Sequence, residues 1–426
     1  MPDGQDGDQR SGDRRRAAPS RSPALPEGGR GTPRPGANIL PALIVGQIGL
    51  HSAMAGVRMA APLQALREGY SAWTVGVLLA LFAAAPVLLA LPAGRLADRH
   101  GYHKPLRYAA AFTVFGAALA LSASFVAGTP HLALLLLAAC FCGAGANVGL
   151  IAIQRTAGRS ARDSTERVRV FSWLGLAPAL ANVVGPVAAG FLIDGAGFWA
   201  AYAFMLLLPL LSVGAARLVP REVPQRVHRP AGRTAWQLWS LPGMRRLLVV
   251  NWLLSACWDV HSFAVPILGH ERGFSAATIG LVLGVFPLAV TGVRVLIPWL
   301  AHRLREVQVL RGSMVGTALV FAVYPLVPTP ALMALCAIVL GMMLGAVQPM
   351  IMSTLHRLTP HERHGEAIAL RSMTLNFSGT VMPLLFGVAG SAFGVAALFW
   401  TMGGAVGGGN WLARRLQGPP EGGAGR

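Results

Sequence analysis

Twelve predominantly apolar blocks, each about 20 residues long, follow one another with short polar connections between them. A helix of about 20 residues crosses a hydrocarbon layer ~30 Å thick. Inside lipid the backbone N–H and C=O groups find no water, so a block of this length has to be helical. A membrane barrel is disfavoured, because its strands would alternate polar and apolar over about 10 residues. The blocks fall near 38–64, 72–93, 106–127, 131–155, 168–193 and 197–218. The second set lies near 245–268, 276–299, 308–327, 330–355, 366–389 and 392–413. The expected fold is an all-α integral membrane protein with twelve transmembrane helices in two pseudo-symmetric six-helix bundles.

Only 12% of the residues are charged, about half the share in a soluble domain, so their placement carries information. A formal charge of +19 would suggest nucleic acid in a soluble chain. Here the cations collect in every second connection, which excludes that partner. One set is Arg95, Arg99, Lys104 and Arg107, and the next is Arg155, Arg159, Arg162, Arg167 and Arg169. Arg217, Arg221, Arg226, Arg229, Arg233, Arg245 and Arg246 follow, then Arg303, Arg305 and Arg311, then Arg357 and Arg363, then Arg414 and Arg415. The intervening connections hold only Arg67 and Arg272. The chain therefore has an arginine-rich face and an arginine-poor face. Cationic loops stay in the cytoplasm, so both termini are expected there, with the chain in a cell inner (plasma) membrane.

Residues 1–36 are polar and rich in Pro, Gly and Arg, the composition of a disordered tail. The first apolar block is long enough to span, so it reads as a retained helix and not a cleaved signal. Expected boundaries are a tail at 1–36, bundles at 37–218 and 244–415, a cytoplasmic linker at 219–243 and a second tail at 416–426. Cys140, Cys142, Cys257 and Cys336 all lie within apolar blocks without metal-ligand spacing, and no metal or cofactor is expected. No nucleophile–base pair or P-loop is present, which argues against an enzyme and an ATP-driven pump.

The two halves repeat. Tyr70–Gly76 reads YSAWTVG and Phe274–Gly280 reads FSAATIG, an offset of 204 that also superposes Phe82 on Phe286. Pro186 and Gly190 match Pro383 and Gly387 at an offset of 197, followed by Gly197 and Gly394. Parallel repeats of this kind build two bundles around a midplane site.

Between the second and third blocks stands GRLADRHGYHK, from Gly94 to Lys104. It resembles the signature loop of the major facilitator superfamily at Gly94, Leu96, Asp98, Arg99, Gly101 and Lys104. Tyr102 occupies a place where that family often has Arg. The resemblance implies a transporter working by alternating access. It implies that Asp98 latches the halves on the cytoplasmic side, against the start of the eleventh span near Glu366–Arg371. Gly94 would permit close helix approach, and Gly101 the tight turn. In the second half Pro298 and His302 replace Gly94 and Asp98. The fifth block carries Ala181, Gly185, Pro186, Ala189 and Gly190, which resembles the motif of the superfamily's antiporters and implies efflux in exchange for protons. Ala139 stands where those antiporters carry an Arg in the fourth span.

Ionisable groups at mid-membrane cost about 2.5–3.5 kcal/mol on insertion scales and point to function. The family resemblance implies that the first, fourth, seventh and tenth spans line the cavity. In the first, Gln47, His51 and Arg58 share a stripe ~40° wide. In the seventh, Asn251, Ser255, Asp259 and Ser262 fall within ~80°, whereas His261 points ~160° from Asp259. Asn147 and Gln154 share a face of the fourth span, and Gln348 marks the tenth. Asp259 is the deep acid and the expected proton-titrating group; Arg58, at the depth of Ser262, is its expected ion-pair partner. His51 and His261 are further proton carriers. Arg294 and Arg371 are additional pathway candidates, and their excess over Asp259 would favour an anionic substrate. The expected activity is proton-coupled efflux of small organic molecules by a monomer, with uptake of a metabolite or organic anion as the alternative.

Overall fold

The computed structural model describes residues 39–160, 170, 173–221, 239, 242–300, 305–359 and 364–416. The expected tails and most of the expected linker lie outside the described residues, as do the side chains of Asp98 and Glu366 and all of His302. Thirteen α-helices and no strand occur among the described residues. The first half contains α1 (Ile39–Arg67), α2 (Ala72–His100), α3 (His103–Ala123), α4 (Thr129–Ser160), α5 (Leu176–Ala196) and α6 (Phe198–Ala216). The second contains α7 (Pro242–Glu271), α8 (Ala276–Leu300), α9 (Glu306–Val323), α10 (Pro330–Gly345), α11 (Val347–Leu358), α12 (His364–Phe393) and α13 (Val395–Arg414).

Helices α10 and α11 are one span interrupted at Ala346, where the sequence predicts a continuous helix. Pro349 is the third residue of α11, a position whose N–H would have no partner inside the helix. The proline therefore costs α11 nothing, but it cannot bond back to Gly345, and the helix restarts. Eleven spans among the described residues are long and apolar enough to cross a bilayer. Helix α13 has the length, at 20 residues. Its glycines, Gly403, Gly404, Gly407, Gly408 and Gly409, dilute its apolar surface.

The surface is apolar where a soluble protein would be polar. Phe191, Leu211, Leu319 and Phe377 are more than half exposed, as lipid-facing side chains should be. Exposed Trp73, Trp199 and Trp400 lie near the arginine-poor ends of their helices, and Trp411 lies near the other end under the Arg415 guanidinium at 3.8 Å. Tryptophan collects at such membrane borders because its ring is apolar with one polar N–H.

The repeat reaches the backbone. Helices α1 and α7 end in the same turn: Tyr70 N–H donates to Ala65 O at 3.0 Å, and Phe274 N–H to Gly269 O at 2.8 Å. Gly69 and Gly273 supply the left-handed residue with φ of 85° and 68°. The halves meet along two seams, α5 against α8 and α2 against α12.

Candidate functional site

Both seams close at the arginine-poor end, and small residues make the closure possible. On one seam, a Cβ added to Gly280 would collide with the Pro186 carbonyl oxygen, and one on Gly190 would lie 2.5 Å from Ala276 O. On the other, a Cβ on Gly76 would collide with the Pro383 carbonyl oxygen, and Gly387 Cα would lie 3.0 Å away. The repeated Gly–Pro pairs therefore face each other crosswise, each proline of one half on a glycine of the other. Two caps join the rims. Ser391 Oγ accepts a hydrogen bond from Trp73 N–H at 3.0 Å. Asp194 accepts from Ala276 N–H and Ala277 N–H at 2.9 and 2.6 Å. Gly185 packs on the first helix instead, with Gly56 N 2.8 Å from where its Cβ would stand.

Behind the seams lie two cavities. The first, about 510 Å³ with its mouth, is bounded by Arg58, Asn182, Pro186, Trp258, His261 and Phe286. The second, about 690 Å³ with its mouth, is bounded by Ser255, Trp258, Asp259, Arg294, Gln348 and Gly379. The Trp258 ring lines both and packs edge-on against Phe286 at 4.5 Å.

Arg58 and Asp259 lie near enough for their charges to interact across the two halves. They do not form the expected direct ion pair, and Arg58 Nε has no hydrogen-bond partner. Arg58 lines the first cavity and Asp259 the second, and Trp258 lines both. His51 also sits within the field of Arg58. Gln47 is buried, with Oε1 unpaired. Asn251 is fully buried and both of its amide atoms lack partners. His261 is directed away from Asp259, as its helical angle requires, and Nδ1 meets the Tyr324 hydroxyl at 3.4 Å. Arg294 Nε donates to Gly345 O at 3.5 Å, Gln348 Oε1 is unpaired, and Arg371 is half-buried with Nε unpaired. Asn147 donates to Pro86 O at 3.3 Å. Gln154 is exposed and bounds neither cavity.

The signature loop shows one departure. A Cβ at Gly94 would meet no described atom within 4 Å, so the expected close approach is absent in this conformation. Gly101 has φ of 68°, the turn that glycine permits. Arg99 is exposed, and Lys104 Nζ lies 3.2 Å from His100 Nε2. Tyr102 does not behave like the Arg it replaces. It is fully buried, with its hydroxyl near Gly46 of α1. Burial raises its hydroxyl pKa above the usual phenol range.

Sequence reasoning missed Trp258, Phe286, Asn182 and Asp194. The aromatics are indistinguishable from lipid-facing residues in an apolar block. Asp194 is visible in the sequence as an acid at a span end, but its partners in the other half, Ala276 and Ala277, are not.

The sequence matches the Major Facilitator Superfamily over residues 43–306 and 247–424. It is 28% identical over 306 residues to the Enterobactin exporter EntS of Citrobacter koseri, covering 70% of this chain and 72% of that protein. Its fold is similar to a POT family transporter in complex with 5-aminolevulinic acid, with TM-score 0.75 and 12% identity over 91% of this chain and 99% of the other. It is also similar to a bacterial homologue of the iron transporter ferroportin in an inward-facing state, with TM-score 0.70 and 15% identity over 89% and 98% of the two chains. Family and relative indicate a transporter and not an enzyme. The two repeated halves, their crossed glycine–proline seams and the cavities behind them, each with a charged side chain in its wall, are those of a multi-pass membrane transporter, and the chain belongs to the Major Facilitator Superfamily.

Proposed function

We propose that this transporter exports a small organic molecule in exchange for protons, by alternating access, as a monomer in a bacterial inner membrane with both termini in the cytoplasm. The observation that carries the reading is Asp259, an acid on the wall of a cavity lined by the second half, within the field of Arg58 from the first half. A carboxyl group that gains or loses a proton there changes the charge balance of the cavity without any other ion. Arg58 then has either a carboxylate or a substrate to face, and competition between them couples the two. In this reading the arginine-poor face is external and its seams are shut, so substrate enters from the cytoplasm. Similarity to an exporter supports the direction. Asp98, as the family resemblance implies, serves as the cytoplasmic latch that forms when the outer seams part.

A second reading, uptake of an organic anion, is favoured by the cation excess: Arg58, Arg294 and Arg371 against Asp259. Thermal unfolding of the purified protein, with a library of metabolites and drugs at two pH values, tests both. A bound compound stabilises by mass action. Coupled transport predicts a shift that depends on pH in the wild type and is independent of pH in Asp259→Asn. Binding indifferent to both pH and Asp259 would remove Asp259 from the coupling role. The direction is read in proteoliposomes, from whether an inward proton gradient drives the compound out or in.

A further inference from the structure

Asp194, near the end of α5, reaches across to the other half and receives the first two backbone N–H groups of α8. Those groups have no carbonyl partner inside their own helix, and the helix start is the positive end of its dipole. Arg67, at the end of α1, lies 3.8 Å from the same carboxylate and over the Phe198 ring at 5.4 Å. Arg67, Phe198 and Asp194 all belong to the first half. The carboxylate thus has one partner that travels with it and two that belong to the opposing body.

The repeat provides an internal comparison. At the offset of 197, Asp194 corresponds to Ser391; at the offset of 204, Ala276 and Ala277 correspond to Ala72 and Trp73. Ser391 caps α2 through a neutral hydroxyl and one bond. A hydroxyl is a sufficient helix cap. The other rim instead has a charged cap with two bonds, and charge-assisted hydrogen bonds are roughly twice as strong as neutral ones. This extra strength exists only while α5 and α8 are in contact.

We propose that Asp194 is an outer latch that biases the transport cycle towards the state with both arginine-poor seams closed. Arg67 is the partner it keeps when they open. The inference rests on the alternating-access reading. Opening separates Asp194 from Ala276 and Ala277 but not from Arg67, so the carboxylate is never left unpaired. The Asp98 latch expected at the opposite face uses the same chemistry, an acid on the helix start of the other half. The two would be engaged in opposite states.

Hydrogen–deuterium exchange of the full-length protein in lipid nanodiscs tests this, comparing wild type with Asp194→Asn, Asp194→Ala, Arg67→Gln and Gly280→Ala. Asp194→Ala should speed exchange by about tenfold or more at 276–284. It should also speed exchange at 72–80 and 383–391, which form the other seam, with Asp194→Asn intermediate. Arg67→Gln should slow exchange at both seams, because it removes the partner of the open state. A rise confined to the first turn of α8 would reduce Asp194 to a local cap and overturn the proposal. So would unchanged exchange, or a shift of the same sign in Arg67→Gln. Gly280→Ala separates the two failures. If it loosens both seams while Asp194→Ala loosens neither, only the latch is wrong. If steric opening at Gly280 leaves the α2–α12 seam tight, the halves do not rock as bodies and the alternating-access reading falls.

Discussion

Replacing Gly280 with alanine should shift the transporter out of the conformation described, by an amount that follows from the packing. The added methyl would fall on the Pro186 carbonyl, overlapping its oxygen, with the carbonyl carbon at 3.1 Å and Val187 Cα at 3.4 Å. These are backbone atoms of a helix, so no rotamer change relieves the overlap, and α5 and α8 must separate. Overpacking of this kind typically costs 1–3 kcal/mol. The overlap exists only with the seam closed, so the whole cost falls on one side of the conformational equilibrium. A bias of 1–3 kcal/mol shifts an equilibrium roughly 5- to 150-fold. Ser262, on the cavity wall behind the seam, can report it as a cysteine once Cys140, Cys142, Cys257 and Cys336 are replaced. A membrane-impermeant maleimide added at the arginine-poor face of proteoliposomes should label Ser262→Cys faster by that factor when Gly280→Ala is present. Gly408→Ala is the control, because its Cβ would meet nothing within 4 Å. Equal labelling rates in the two variants would mean the seam relaxes at no cost, and the packing argument would be wrong.

Gly76→Ala should act in the same direction through the Pro383 carbonyl, and the pair of substitutions should open the seam further than either alone in the labelling assay. Asp98→Asn should leave expression and membrane insertion intact while slowing substrate turnover; normal turnover in proteoliposomes would contradict the latch role. Arg58→Ala should abolish transport of an anionic substrate, and unaltered transport of a neutral compound by that variant would remove the basis for an anion-selective site. Tyr202→Phe should lower stability by about 1–2 kcal/mol in reversible detergent unfolding, because the buried hydroxyl donates to Gln64 Oε1 at 2.8 Å. A variant as stable as the wild type would show that bond to be dispensable.

The span order was legible because lipid forces each apolar block to be a helix, and the arginine distribution fixed which ends share a face. The repeat was legible from Tyr70–Gly76 and Phe274–Gly280, and it correctly paired glycine turns that lie far apart in the chain. The break at Ala346 was not foreseen. Proline near a helix start and proline within a helix look alike when the boundary is unknown. At the site, helical angles set His261 apart from Asp259; His261 meets Tyr324 and lines the first cavity, while Asp259 lines the second. Such angles failed for Arg58 and Asp259, because equal depth along two helices does not say which cavity each side chain lines. Gly94 failed for another reason: a small residue permits close approach, but the conformation decides whether the approach occurs.

The same two prolines connect the seams to the cavities. Pro186 has no N–H, so the carbonyl of Asn182, four residues earlier, loses its helical donor. Pro383 does the same to Gly379. Asn182 bounds the first cavity and Gly379 the second, and the two positions are equivalent at the offset of 197. Each proline therefore does two things within one turn of helix. Its own carbonyl rests on a glycine of the opposite half at the seam, while its missing N–H removes the helical donor to the carbonyl of a residue that bounds a cavity. Moving that turn to open the seam must also move the wall. A substituent bound against Asn182 or Gly379 would therefore lie within about one helical turn of the seam contact made by the proline carbonyl.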